Sequence, residues 1–176
     1  MRPAVRKLAL TVHLVASVGW IGAVLAYLAL DIAAMTSSDT QQVAGAWTAM
    51  ELTGWYVIVP LALASLLTGI VMSLGTPWGL FRYYWVLISL VLTIFATVVL
   101  IVHMPDVSAL AQMARQTDGA AAPISGRGDL LHAGGGLLVL LVITTLNVYK
   151  PQGMTRYGWR QRYGSRDDPA TPTPTR

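Results

Sequence analysis

Three histidines are the residues of this chain best suited to chemistry, because an ionisable ring is rare in an apolar segment. His13 lies near the N-terminus, and His103 and His132 lie at the ends of two later apolar blocks. An ionisable residue inside a membrane span indicates a functional site by default. The chain has no cysteine, which excludes thiolate chemistry, disulfides and cysteine-ligated iron–sulfur clusters.

His103 and His132 admit two cofactor chemistries. Two neutral imidazoles from facing helices form the axial ligand set of haem b, and the glycines at 134–136 would leave room for a flat macrocycle beside His132. Copper is the second chemistry, with His103, His132 and Met104 as metal ligands, because soft thioethers suit Cu(I). A third interpretation needs no cofactor: both rings lie among lipid headgroups and hydrogen-bond to water.

The depth of each histidine in the bilayer decides which of them can share a ligand. At about 1.5 Å per helical residue, His13 lies about 9 Å from the midplane on one side, whereas His103 and His132 lie about 12–14 Å from it on the other. One iron or copper ion therefore cannot bind all three. His103 and His132 can meet if the third and fourth helices are neighbours, which their direct connection predicts.

The face of the first helix that carries His13 is predicted to point into the bundle. Trp20 lies on nearly the same face, and a mid-bilayer indole N–H needs an acceptor. The residues at the depth of His13 on the other helices are Met72, Ser89 and Asn147, which are its predicted partners.

Four apolar blocks position these histidines. Hydrophobic residues make up 55% of the chain and charged residues 11%, against roughly 25% charged residues in soluble domains. Each block is long enough to cross about 30 Å of hydrocarbon as an α-helix. We therefore predict an all-α membrane protein, a four-transmembrane-helix bundle over residues 1–149, with spans at 8–30, 52–74, 83–103 and 130–149.

The remaining segments are predicted to be loops and a tail. The Ala-, Gly- and Gln-rich segment 112–128 is predicted to be a mobile loop, and residues 150–176 a basic, disordered tail. Asp31 and Asp129 are assigned to loops, so apart from the histidines we expect no buried carboxylate or lysine in the spans. Ion-coupled transporters use such residues as relays, and this expectation counts against a metal-handling permease.

The basic residues predict the orientation. Ten of the twelve lysines and arginines lie on one side of the four spans: in the N-terminal segment, in the loop that contains Arg82, and after Tyr149. The positive-inside rule places that side in the cytoplasm, so both termini are expected to be cytoplasmic. The same rule accounts for the basic tail, for which we expect no nucleic-acid partner.

The first helix carries a motif that resembles known families. The run from His13 to Gly22 reads H-x6-W-x-G, which is similar to the opening helix of HemJ-type protoporphyrinogen oxidases and CopD-type copper-resistance proteins. The segments 59–69 and 74–85 look most like an actinobacterial family of four-helix integral membrane proteins with a domain of unknown function. This resemblance covers about the first 105 residues and implies the fold and the topology.

The HemJ-type resemblance implies that His13 works beside a porphyrin, together with a lysine early in the third helix. At that depth this chain has Ser89, and serine supplies neither the charge nor the basicity of lysine. The departure argues against protoporphyrinogen oxidation and leaves haem or porphyrin binding through His13 open. The CopD-type resemblance is confined to the first helix.

These observations predict a multi-pass protein of the bacterial cytoplasmic (inner) membrane that binds haem or a porphyrin through its intramembrane histidines. Two alternatives stay open: a structural or accessory membrane protein without a cofactor, and a copper-handling membrane protein. Whether the chain is an enzyme stays open as well. The expected partners are the lipid bilayer and either a further copy of the chain or another membrane protein.

Overall fold

The computed structural model of the protein describes residues 2–75, 79–116 and 126–163. Within these ranges the chain is helical, and its one extended pairing is an isolated bridge between Tyr83 and Met154. A π-helical turn, Gly54–Ile58, joins the second and third helices. The α-helices are α1 (Pro3–Thr36), α2 (Thr40–Thr53), α3 (Val59–Gly75), α4 (Tyr84–Gln116), α5 (Gly126–Tyr149) and α6 (Arg156–Tyr163).

Four helical segments are long and apolar enough to cross a membrane. They are Pro3–Thr36, Thr40–Gly75, Tyr84–Gln116 and Gly128–Tyr149, which confirms the predicted all-α membrane protein with four spans. In the bundle, α1 packs against α2, α3 and α5, and α4 packs against the same three helices. Because α2 and α3 are continuous through the π-helical turn, they together form the second span.

The helices extend beyond the predicted spans at the end of the bundle that holds the turn at 37–39, which we call the distal end. The predicted loop at 31–51 is wrong, because it is helical except for that turn. The predicted loop at 112–128 is wrong at its two ends, which belong to α4 and α5, while residues 117–125 lie outside the described residues. Charged and polar residues lower the hydropathy of these segments, but their apolar residues still recur at helical spacing.

The most tightly packed part of the protein is the distal end. Here α2 contributes Trp47 and Met50, and α4 contributes Met104 and Val107, all at most 1% exposed. In contrast, no more than 22% of the most apolar stretch of any span is buried, as expected for helices whose other faces contact lipid. The distal end therefore has a core of the kind found in soluble domains, which excludes water from the polar groups inside it.

Two local features set the position of α2. Asp39 caps its N-terminus by accepting a hydrogen bond from the Gln41 backbone N–H at 2.9 Å. At its other end the π-helical turn begins at Gly54, where a Cβ would lie 2.6 Å from the sulfur of Met104. The absence of a side chain at Gly54 lets α4 approach closely at this point.

The opposite end of the bundle, which we call the terminal end, holds the start of α1 and the end of α5. Here α6 docks on the segment that precedes α4, and the Thr155 backbone N–H donates to the Arg82 carbonyl at 2.9 Å. The prediction of a disordered tail is therefore wrong for α6. Residues 164–176 of that tail lie outside the described residues.

Candidate functional site

The site is built around the carboxylate of Asp129 in the first turn of α5. Its side chain is only 1% exposed. The Tyr27 hydroxyl on α1 donates to both carboxylate oxygens, at 3.2 and 3.0 Å, and the His103 Nε2–H on α4 donates to Oδ1 at 2.6 Å. Burying a polar group is costly unless it is hydrogen-bonded, and here the bonds to one carboxylate hold three helices together.

A second carboxyl group, Asp31, lies one helical turn beyond Tyr27 on the same face of α1. It is completely buried, and neither of its carboxylate oxygens has a hydrogen-bond partner among the described residues. Asp31 and Asp129 interact electrostatically. The expectation of no buried carboxylate in the spans is therefore wrong, because α2 and the distal half of α4 cover the place where a loop was predicted.

His132 stacks on His103. The ring centroids are 4.2 Å apart and the ring planes differ by 9°, so the structure brings these two residues together. The His132 Nδ1–H donates to the Gly128 carbonyl at 2.7 Å. Since a carbonyl can only accept, the proton is on Nδ1 and the Nε2 of a neutral His132 is an acceptor.

This arrangement does not fit the axial pair of a haem. Axial imidazoles aim their nitrogens at the iron from opposite sides, whereas these rings lie face to face and the Nε2 of His103 bonds to Asp129. Met104 is 1% exposed and packs against Gly54 in the π-helical turn. Among the described residues, no group of three or more His, Asp or Glu side chains is placed to hold a metal ion.

His13 lies in a separate polar contact between α1 and α3. Its Nδ1–H donates to the Ser65 carbonyl and to the Thr68 hydroxyl, both at 3.1 Å. The predicted partners Ser89 and Asn147 instead bond to each other across α4 and α5, at 3.2 Å. The structure therefore does not bring His13 to the His103–His132 pair.

An apolar cavity of about 430 Å³ lies between α1, α4 and α5. Its walls are aliphatic and aromatic side chains, the thioether of Met104 and two glycines, and four polar side chains are also part of its lining. The polar ones are Tyr27, His103, Asp129 and His132. A second, more open groove is lined by the last three of these together with Asp106 and apolar residues of α4. The side chains of His103, Asp129 and His132 thus lie between the intramembrane cavity and the groove.

The prediction from sequence missed Tyr27, Asp31 and Asp129 as site residues. The signal was present, because Asp31 continues the buried stripe of α1 in which residues recur every three or four positions: Trp20, Val24, Tyr27, Asp31 and Ala34. Asp129 likewise lies three residues before His132, on the same side of α5. Hydropathy alone ends both spans at these aspartates.

Four apolar helices that enclose a buried polar cluster and a cavity define an integral membrane protein. The chain belongs to the family described as "Predicted integral membrane protein (DUF2269)", whose model matches residues 7–151. The match runs from α1 to just beyond the end of α5, and it confirms the predicted membership of a four-helix integral membrane protein family. No curated protein and no solved structure matches the chain.

Proposed function

We propose that this protein binds a small lipophilic molecule in the cavity between α1, α4 and α5. The observation that supports the proposal is the cavity itself, which has a volume of about 430 Å³ and an apolar lining with a small group of polar side chains. Small-molecule sites have this form: they measure about 300–1,000 Å³, and a few polar groups orient the ligand.

The hydrogen-bonding state of the polar side chains favours a ligand that carries a donor. Asp129 already accepts from Tyr27 and His103, and a neutral His132 offers Nε2 as an acceptor because Nδ1 is used by Gly128. A hydroxyl or N–H group on an apolar body meets this requirement. Porphyrins and quinols are two ligands of this class. A porphyrin would bind by apolar contact and hydrogen bonds, not through a His103–iron–His132 axis.

The proposal includes an orientation and a membrane. Of the ten basic residues in the described ranges, eight lie at the terminal end, which supports a cytoplasmic location for both termini by the positive-inside rule. The distal end, with the site, then faces outward from a bacterial cytoplasmic membrane. Reporter fusions at Arg2 and at Gly45 test this orientation, and activity of a cytoplasmic reporter at Gly45 would contradict it.

Binding is tested by filling the cavity. Gly136 lines the cavity, and a Cβ there would meet nothing within 4 Å, so Gly136→Leu places its side chain in open space. Gly134 is the matched control, because a Cβ there is equally free but Gly134 is not among the residues that line the cavity. The probes are protoporphyrin IX and a short-chain quinol, each titrated into the purified protein in mild detergent.

Quenching of tryptophan fluorescence reports occupancy, because Trp20 lines the cavity. We expect at least one probe to quench saturably in the wild type and in Gly134→Leu. Its affinity should fall about tenfold or more in Gly136→Leu, a loss of about 1.4 kcal/mol or more. Trp20→Phe should remove most of the signal. Equal affinity in Gly136→Leu and the wild type, or no binding of any probe, would overturn the proposal.

A further inference from the structure

We propose that Asp31 is a proton-binding group of the membrane protein, and that its proton exchanges with the distal groove through Tyr27, Asp129 and His103. The proposal does not depend on which molecule occupies the cavity.

The burial of Asp31 is the first support. Its exposure is 0%, and both of its side-chain oxygens lack a hydrogen-bond partner in the described part of the chain. An ionised carboxylate in this position would have lost its hydration without any compensating bond, at a cost of several kcal/mol. A carboxyl group that carries a proton avoids most of that cost. The geometry therefore favours the neutral form.

Among the described residues, the groups that interact electrostatically with Asp31 carry no positive charge that would offset an ionised carboxylate. Across the described residues, Asp31 interacts electrostatically with Tyr27 of α1 and Asp129 of α5, and neither is a cation. The packed face of α2 is apolar, with Val43, Ala46, Trp47 and Met50 buried. The Glu51 and Arg115 side chains of α2 and α4 pair with each other at 2.8 Å.

A proton fits this place better than a metal ion does. The oxygens of Asp129 already accept bonds from Tyr27 and His103, and no third acidic or histidine side chain in the described ranges joins them to form a metal site. Hard cations such as Ca²⁺ take about six to eight oxygen ligands. A proton needs only one carboxyl oxygen of Asp31.

A chain of hydrogen bonds that begins one helical turn from Asp31 leads to the groove. Its first member is Tyr27 of α1, which donates to Asp129 at 3.0 Å. Asp129 bonds to His103, whose side chain is 20% exposed and lines the groove between α4 and α5. Histidine and carboxyl groups in contact form proton relays in membrane proteins.

Infrared spectroscopy tests the proton on Asp31 directly. Wild-type protein in lipid nanodiscs at neutral pH should show the C=O stretch of a protonated carboxyl group, shifted both by D₂O and by ¹³C labelling of aspartate. Asp31→Asn should abolish this band. Asp39→Asn is the matched control, because Asp39 is exposed and asparagine also caps a helix, and it should leave the band unchanged.

Several results would overturn the proposal. The ¹³C-labelled wild type alone shows whether any aspartate is protonated. If its spectrum lacks the band, the proposal is wrong, whether or not Asp31→Asn folds. A band that survives Asp31→Asn places the proton elsewhere. A band that appears only after Na⁺ is removed assigns the site to a metal cation.

The exchange route has its own readout. When wild-type protein is diluted rapidly into D₂O, the carboxyl band should shift at a measurable rate, and His103→Phe should make that shift several-fold slower. Phenylalanine keeps an aromatic ring next to His132 but cannot carry a proton. An unchanged rate in His103→Phe would overturn the route.

Discussion

His103 on α4 donates its Nε2–H to Asp129 on α5 over 2.6 Å, at a point where the Asp129 side chain is almost completely buried. This bond fixes the relative rotation of the two helices, and the ring of His132 stacks on His103 at the same place. The Tyr27 hydroxyl on α1 donates to the same carboxylate and so connects α1 to this site. The distal end therefore depends on Asp129, whose loss would leave both Tyr27 and His103 without their acceptor.

The hydrogen bond between Tyr27 and Asp129 can be measured with a double-mutant cycle. Tyr27→Phe removes a donor to a buried acidic group and should lower the free energy of unfolding by about 1.5–3 kcal/mol. Asp129→Ala should cost about 3–5 kcal/mol, because it leaves both Tyr27 and His103 without their acceptor. The double variant should cost clearly less than the sum, since both changes remove the same bond.

Unfolding in mixed detergent, followed by circular dichroism, gives these free energies. Tyr56→Phe is the matched control, because Tyr56 is 77% exposed and its hydroxyl contributes little to the fold. Strictly additive costs for Tyr27→Phe and Asp129→Ala would mean that the bond does not form in the membrane protein.

The second prediction concerns the packing of Met104 against the π-helical turn. Gly54→Ala would bring a Cβ to 2.6 Å from the Met104 sulfur, so this buried side chain must move, and we expect a loss of about 1–3 kcal/mol from overpacking. Gly45→Ala in α2 is the control, because a Cβ there meets nothing within 4 Å and alanine stabilises a helix by about 0.5–1 kcal/mol over glycine.

Met104→Ala serves as the second step of this test. In that background the clash is absent, so Gly54→Ala should lose most of its cost. If Gly54→Ala behaves like Gly45→Ala in the wild-type background, the close approach of α4 to the π-helical turn is not present in solution.

The sequence was sufficient for the spans and for one histidine pair. Hydropathy identifies four apolar helices because lipid requires about 20 apolar residues in each span, and depth along the helices predicted that His103 and His132 could meet. Neither hydropathy nor depth could predict how the two rings are oriented where they meet. The rotation of each helix about its axis comes from packing against its neighbours, and that rotation decides between opposed rings and the stacked rings that the structure has.

The burial of Asp31 and Asp129 was missed for a different physical reason. A charged residue lowers local hydropathy whether water or protein surrounds it. Hydropathy therefore places the ends of two spans next to these aspartates. Their surroundings depend on α2, an amphipathic helix whose buried residues Val43, Ala46, Trp47 and Met50 recur at helical spacing. Only that periodicity, and not mean hydropathy, distinguishes a covering helix from a loop.

The third prediction concerns the hydrogen bond between α1 and α3. The hydroxyls of Ser17 and Ser65 bond to each other at 2.8 Å, and such interhelical bonds are worth about 0.6 kcal/mol on average in membrane proteins. Ser17→Ala and Ser65→Ala should each cost about that much, and the double variant should cost no more than one of them. Thr145→Ala is the control, because among the described residues the Thr145 hydroxyl bonds only to the Leu141 carbonyl of its own helix. Additive costs would contradict the bond.

The last prediction concerns the docking of α6 at the terminal end. A Cβ on Gly158 would lie 2.6 Å from the carbonyl oxygen of Arg82 and 3.1 Å from its Cα, and these backbone atoms cannot rotate away as a flexible side chain can. Gly158→Ala should therefore lift α6 from this segment and break the bond from the Thr155 N–H to Arg82.

Hydrogen exchange resolves this effect because it reports local opening separately from global unfolding. Protection at the Thr155 amide should be lost in Gly158→Ala, while the amides of α1 to α5 keep theirs. Gly153→Ala is the matched control in the same segment, since its Cβ would lie 3.5 Å from the Tyr84 ring, an ordinary contact, and it should leave Thr155 protected. If Gly158→Ala also leaves Thr155 protected, α6 does not rest on the Arg82 backbone.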